Sequence, residues 1–278
     1  MKSVKIIHGL FLLFSLQTLQ VSAQENNESF YAFNQDWVQV ASIDECTYFL
    51  HKVIENDSTY ICRVYRKEGP MISWQTYRDA SLKIRNGIFA WYNEKGDLDS
   101  LGHFVKGKKD GQWKYAFDSK QRAGIIEEYN GGIFYRSIDY TSGKIKLANG
   151  EEQPITDSLQ RVDLDVKEKN VKDTIHHKPP EFPGGINGWL KYLNNHISTP
   201  NRFMLISGPG TSASILVDFE VSTIGTISDI VLLHSREWSA DMEVIRILKS
   251  SPAWRPATID GVKVKYRHQQ SIRFQVNR

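Results

Sequence analysis

Two consecutive stretches of the chain repeat one another. "NGIFAWYNEKGDLDSLGHFVKGKK" (Asn86–Lys109) is followed directly by "DGQWKYAFDSKQRAGIIEEYNGG" (Asp110–Gly132), and the Asn-Gly of the first returns as Asp-Gly in the second, 24 residues later. Trp91 and Tyr92 fall where Tyr115 and Ala116 fall. A weaker unit precedes them at "EGPMISWQTYRDASLKI", and "YRSIDYTSGKIKL" follows them. Short aromatic runs separated by Asn-Gly and Asp-Gly predict β-hairpins turning at those dipeptides, because both central residues of such a turn need positive φ. A repeat of this length predicts stacked hairpins, each burying its face against its neighbours. The aromatic stripes are expected to form the core of that stack rather than a ligand platform.

The chain begins with a basic pair, Lys2 and Lys5, then the apolar run "IIHGLFLLFSL", then Val21 and Ala23 at the spacing of a small-residue cleavage site. This predicts a cleaved signal peptide over residues 1–23. The run is short for a permanent anchor, which needs roughly 20 apolar residues. The mature chain is expected to be exported to the periplasm or outer envelope. There, an even count of cysteines permits one disulfide, and Cys46 and Cys62 are predicted to form it.

Composition excludes several classes. A formal charge of +3 and a pI near 8.7 are too mild for a nucleic-acid partner. No G-x-S-x-G elbow, H-E-x-x-H, Walker loop or C-x-x-C occurs. "SGPGTSAS" (Ser207–Ser214) offers glycines and hydroxyls, but no lysine follows to hold a phosphate. His176 and His177 are adjacent without a third ligand near in sequence. The chain is therefore expected to be no enzyme and to use no metal and no small-molecule cofactor.

Residues 24–60 form an N-terminal segment with enough Val, Tyr and Phe to join a small sheet, and 61–150 hold the repeats. Residues 151–178 carry twelve charged side chains out of 28, which marks a linker. Within it, Val162, Leu164 and Val166 alternate as in one short strand. Beyond it, "PEFPGG" leads into Ile186, Trp189, Leu190, Leu193 and Ile197 at helical spacing, stopped by Thr199-Pro200. "FMLISGPGTSA" is expected to be a loop. Ile215, Val217, Phe219 and Val221 alternate, Gly225 turns the chain, and Ile227–Leu233 returns as the second strand of a hairpin. Ser239 is expected to cap a second helix, lined by Met242, Ile245 and Leu248 and ended by Ser251-Pro252. A last strand, Val264–Val276, alternates again. The expectation is an α+β fold: a C-terminal three-stranded antiparallel sheet with two helices, preceded by an all-β repeat region. Residues 179–278 are expected to fold on their own.

Two family resemblances rest on these residues. The units around "GQWKYAF" resemble MORN repeats of exported bacterial proteins. "PEFPGG", "KYLNNHISTP", "ILVDFEVSTIGTISDIVLLHS" and "ILKSSPAWRPATIDGVKVKYRHQQSIRFQV" resemble the C-terminal domain of TonB in its Bacteroidetes form, over residues 179–278. That resemblance implies a protein partner, a TonB-dependent outer-membrane receptor, held by strand addition at a sheet edge. It places the edge on the last strand, so Lys265, Tyr266, Arg267, His268, Gln269 and Arg273 become the candidate partner-binding residues. Two other classes accommodate the same features: a membrane-anchored TonB-type energy transducer, and a structural envelope protein.

Overall fold

A computed structural model describes residues 27–156 and 176–276. The signal peptide expected over residues 1–23 and the short strand expected at 162–166 lie outside them. Among the described residues no helix is long and apolar enough to cross a membrane.

The first half is a single antiparallel sheet of twelve strands. In chain order these are β1 (Glu28–Phe33), β2 (Gln39–Val40), β3 (Tyr48–Asn56), β4 (Thr59–Arg66), β5 (Met71–Tyr77) and β6 (Arg85–Tyr92). They continue with β7 (Leu98–Val105), β8 (Lys108–Phe117), β9 (Ala123–Asn130), β10 (Ile133–Asp139), β11 (Lys144–Leu147) and β12 (Glu152–Pro154). From β3 to β12 each strand pairs with the next, while β1 lies between β3 and β2. The boundary drawn at residue 60 falls inside β4, so the N-terminal segment supplies three strands of the same sheet.

The repeat units are built as hairpins, but their turns lie elsewhere than expected. Asn86-Gly87 and Asp110-Gly111 sit inside β6 and β8. The chain reverses instead at Lys106-Gly107 and Gly131-Gly132, all four at positive φ. The Asx side chains serve those turns from the neighbouring strand. Asn86 Oδ1 accepts from the Lys106 N–H at 3.1 Å, and Asp110 Oδ1 accepts from the Gly131 N–H at 2.9 Å. The repeated residue is thus a turn cap for the next hairpin. The sheet face away from the second half carries Phe89, Phe104 and Trp113, with Tyr77, Trp91, Tyr115 and Tyr129 packed around them. Gly102 is needed there, because a Cβ on it would lie 2.1 Å from the Trp113 ring.

The second half contains β13 (His177–Lys178), α1 (Gly185–His196), α2 (Asn201–Ser207), β14 (Ser212–Val221), β15 (Ile227–Leu232) and α3 (Trp238–Lys249). It ends with β16 (Ala257–Ile259), β17 (Val262–Val264) and β18 (Tyr266–Gln275). Two sheets form, ordered β13-β16-β17 and β15-β14-β18.

The expected α+β class is overturned. Among the described residues 51% lie in strands and 15% in helices, and a twelve-stranded sheet over residues 28–154 dominates three short helices. Three local readings differ as well. "FMLISGPGTSA", expected to be a loop, begins instead in a helix: Phe203–Ser207 belong to α2, whose seven residues are too few for periodicity to reveal. Pro200, which stops α1, sits as the residue before α2 at φ −65°, where proline is tolerated. The α3 cap is Glu237, whose carboxylate accepts from the Ala240 N–H at 2.7 Å; Ser239 donates to that same carboxylate.

"PEFPGG" has a packing role. Gly184 and Gly185 turn the chain at φ 83° and 66° into α1. The turn drives Phe182 into a buried aromatic cluster, its ring centroid 5.3 Å from Trp189, 5.2 Å from Tyr192 and 5.6 Å from Trp254.

Both halves share one core. Phe49, Tyr65, Met71, Trp74, Ile88, Ala90, Tyr92 and Leu98 from the large sheet join the same buried cluster as Val217, Phe219, Leu232, Leu233, Val244 and Leu248. One cross-strand row of the large sheet marks the covered face: Phe30, His51, Arg63, Trp74, Ala90, Leu101 and Lys114 lie opposite one another in turn.

The predicted disulfide does not form. Cys46 and Cys62 are both free and buried. Cys62 pairs in register with Lys52, six positions along the chain from Cys46, which at about 3.3 Å per residue separates them by roughly 20 Å. They also belong to different clusters, Cys46 to the shared core and Cys62 to a group with Phe33 and Leu50. A disulfide needs Cα atoms within about 7 Å. Burial pushes the Cys62 thiol up to about 11.

Candidate functional site

The sheet β15-β14-β18 has two outer strands, and their surroundings differ. Alternation builds both β14 and β18. Ala213, Ile215, Val217, Phe219 and Val221 of β14 point inward with Ile272 and Phe274 of β18, and all are buried. The ten pairs from Ser212↔Gln275 to Val221↔Tyr266 hold β18 along the whole length of β14.

The large sheet closes the C-terminal end of the β15 side, while Ser228 and Asp229 at its start are exposed. The Leu98 N–H donates to the Leu233 carbonyl at 3.0 Å, and the Tyr92 hydroxyl donates to the Leu232 carbonyl at 2.9 Å. The Ser235 N–H donates to the Gly96 carbonyl at 2.8 Å, and His234 Nδ1 lies 2.8 Å from Asp97 Oδ1. Beside this seam, the buried Asp241 carboxylate accepts from Tyr65 at 3.2 Å, from the Ser235 hydroxyl, and from the Arg236 N–H at 3.0 Å. Ser235 Oγ in turn accepts the Met71 N–H at 2.8 Å. Burial pushes the Asp241 carboxyl up to about 7, against the hydrogen bonds that favour its charge.

The β18 side is open. Its pairing partner is β14, and among the described residues no strand lies on its other edge. Alternate backbone N–H and C=O groups of an antiparallel edge strand face outward and remain available to another chain.

The candidate residues divide along this strand. The expected strand Val264–Val276 breaks at Lys265, which leaves Val264 in β17 and starts β18 at Tyr266. Lys265 is exposed and pairs with Glu220 at 3.0 Å. Arg267 pairs with Asp218 and reaches across to the Asp229 carbonyl at 3.1 Å. Gln269 donates to Asp218 at 3.4 Å, and Arg273 donates to the Ser214 hydroxyl at 3.4 Å. The cations on this face are thus already engaged within the sheet. On the inward face, Tyr266 lies 5.3 Å from the His177 ring, and His268 packs 5.5 Å from Phe219 and 5.3 Å from Trp254. Burial pushes the His268 pKa down.

The sequence reading missed the contacts of Tyr92, Asp97, Leu232 and Leu233, which close the end of β15, and the buried role of Asp241 beside them. One signal was present: "IVLL" (Ile230–Leu233) is continuously apolar, as in a strand covered on both faces. Nothing local points to Asp241.

Among the described residues no group of three or more His, Cys, Asp or Glu side chains could hold a metal ion. Comparisons with protein-family models, with curated proteins and with solved structures return no match to this chain.

Proposed function

We propose that this chain is an exported, periplasmic protein-binding module that holds an extended segment of an outer-membrane receptor, or another envelope protein, by strand addition on β18. The observation that carries the reading is the asymmetry of the three-stranded sheet: the end of β15 and the residues after it, 232–235, are bonded to the large sheet, whereas among the described residues no such contact holds the outer edge of β18. Strand addition needs only outward backbone groups on one edge, with side chains setting specificity. The resemblance of residues 179–278 to the TonB C-terminal domain supports the same partner class. Because Lys265 and Arg267 are paired with Glu220 and Asp218, the backbone supplies most of the affinity and the charges tune it.

A photo-crosslinking residue placed at Gln269, which is exposed, tests this in cells. It should capture an envelope protein that the same residue placed at Ser228 on β15 does not. Equal capture at both positions, or none at Gln269, would defeat the reading.

A further inference from the structure

The large sheet has an unpaired strand edge of its own, next to a cavity. β2 pairs only with Ala32 and Phe33 of β1, so among the described residues nothing pairs with the outer side of residues 28–31. On the inner side β3 pairs with all six residues of β1. At this edge lies a cavity of about 210 Å³, lined by Phe30, Ile43, Phe49, Arg202 and Trp238. Phe30 thus belongs both to the open edge and to the cavity wall.

The wall is held in place. Phe30 stacks on His51 at 4.7 Å and meets Trp238 edge-on at 5.2 Å. Trp238 Nε1–H donates to His51 Nδ1 at 3.1 Å, which leaves the ring proton on Nε2, 3.0 Å from Glu28 Oε2. Arg202 is bound to Glu237 at 3.2 Å and to the Lys67 carbonyl, so its charge is already met. What remains is an apolar hole. A cavity of about 150 Å³ lined by apolar side chains accommodates benzene, so this one has room for a leucine or phenylalanine side chain. The rim is acidic: Glu28, two residues from Phe30, and Asp44 and Glu45, which follow Ile43, are exposed, and the nearby Lys67 ammonium is engaged by the Asp44 carbonyl.

We infer that residues 28–31 and this cavity form a second strand-addition site, independent of β18, for an extended segment carrying one large apolar residue flanked by lysine or arginine. In an added strand successive side chains alternate, so one residue enters the cavity while its neighbours point away from it toward the rim. The inference stands whether or not β18 binds anything.

The test uses the full-length mature chain and three blocked synthetic peptides: Lys-Val-Leu-Val-Lys, the same with serine for leucine, and the same with glutamate for both lysines. Amide exchange followed by mass spectrometry reports residues 28–31 and residues 266–275 separately. The leucine peptide should slow exchange at 28–31, and the serine and glutamate peptides should each bind at least tenfold more weakly. Ile43→Asp, on an exposed turn, should abolish the protection without changing exchange in β18. Equal binding of the leucine and serine peptides by the unsubstituted chain would overturn the inference. So would protection confined to β18, or a peptide-independent dimer that protects 28–31.

Discussion

β15 and β18 flank the same central strand, yet one lies in the seam of the molecule and the other on its edge. Ile230, Val231, Leu232 and Leu233 are buried in succession, whereas β18 alternates buried Ile272 and Phe274 with exposed Ser271, Arg273 and Gln275. The difference comes from the large sheet, whose strands β6 and β7 donate to the β15 carbonyl edge. A sheet edge is therefore defined by what docks on it as much as by its own sequence. Within this three-stranded sheet, the open edge is the one the large sheet does not reach.

Substitutions in the seam should erode this difference, and the largest effect is expected at Leu232. Its side chain is fully buried, and Leu232→Ala should cost about 2–5 kcal/mol of stability. Denaturant unfolding gives the cost, and faster amide exchange at 230–233 and Leu98 would show that the seam had loosened. A loss under about 0.5 kcal/mol, typical of surface sites, would mean that β15 is not sealed.

Asp241 ties the seam to pH. Its folded pKa of about 7 lies above the ordinary 3.8, so the folded chain binds this proton more tightly than the unfolded one. The resulting stabilisation is complete below about pH 4 and is lost as pH rises through 7, roughly 4 kcal/mol in all. His51 works in the opposite direction: burial pushes its pKa below 6.5, so its contribution is present above that pH and lost as pH falls through the lower folded value. The comparison with Asp241→Asn separates the two. Relative to the native chain, the variant should gain stability steadily between pH 4.5 and about 7 and level off above it, measured by urea midpoints. Parallel pH profiles would remove Asp241 from the account.

Smaller changes sharpen the contrast between the two edges. Tyr92→Phe deletes one hydrogen bond to the Leu232 carbonyl and should cost about 1 kcal/mol by thermal or chemical unfolding. Lys265→Ala, on the open side, breaks an exposed pair with Glu220 and should change stability and partner affinity by less than about 1 kcal/mol.

Much of the second half was legible because its patterns are local. The alternation of Ile215 to Val221 and of Ile272 to Val276 follows from a period of 2, whereas in α3 the expected stripe holds only in part: Ile245 and Leu248 are buried and Met242 half-buried, with Val244 and Ile247 buried outside it. α1 was legible in part: Trp189 is buried, while Ile186 and Leu190, assigned to the same stripe, are exposed. The residues of β18 were found, but the break at Lys265 was not, although Asp260-Gly261 between β16 and β17 carries the hairpin signal used elsewhere. Asn86 and Asp110 were recognised as repeated and assigned the wrong task, since a cap and a turn centre favour the same residue types. The seam was illegible for a different reason. Tyr92 and Leu232 meet across 140 residues, and Tyr65 and Asp241 across 176. No local period encodes such a contact. That is also why residues 179–278, expected to fold alone, turn out to share their core with the large sheet.

Strand addition on β18 is tested most directly by amide exchange along β15 and β18, measured by NMR with and without a peptide from the protein captured at Gln269. The account predicts that alternate amides between Tyr266 and Gln275 become protected on binding while those of Ile227–Leu232 do not change. Protection in β15, or binding that leaves every amide of β18 unaltered, would contradict it.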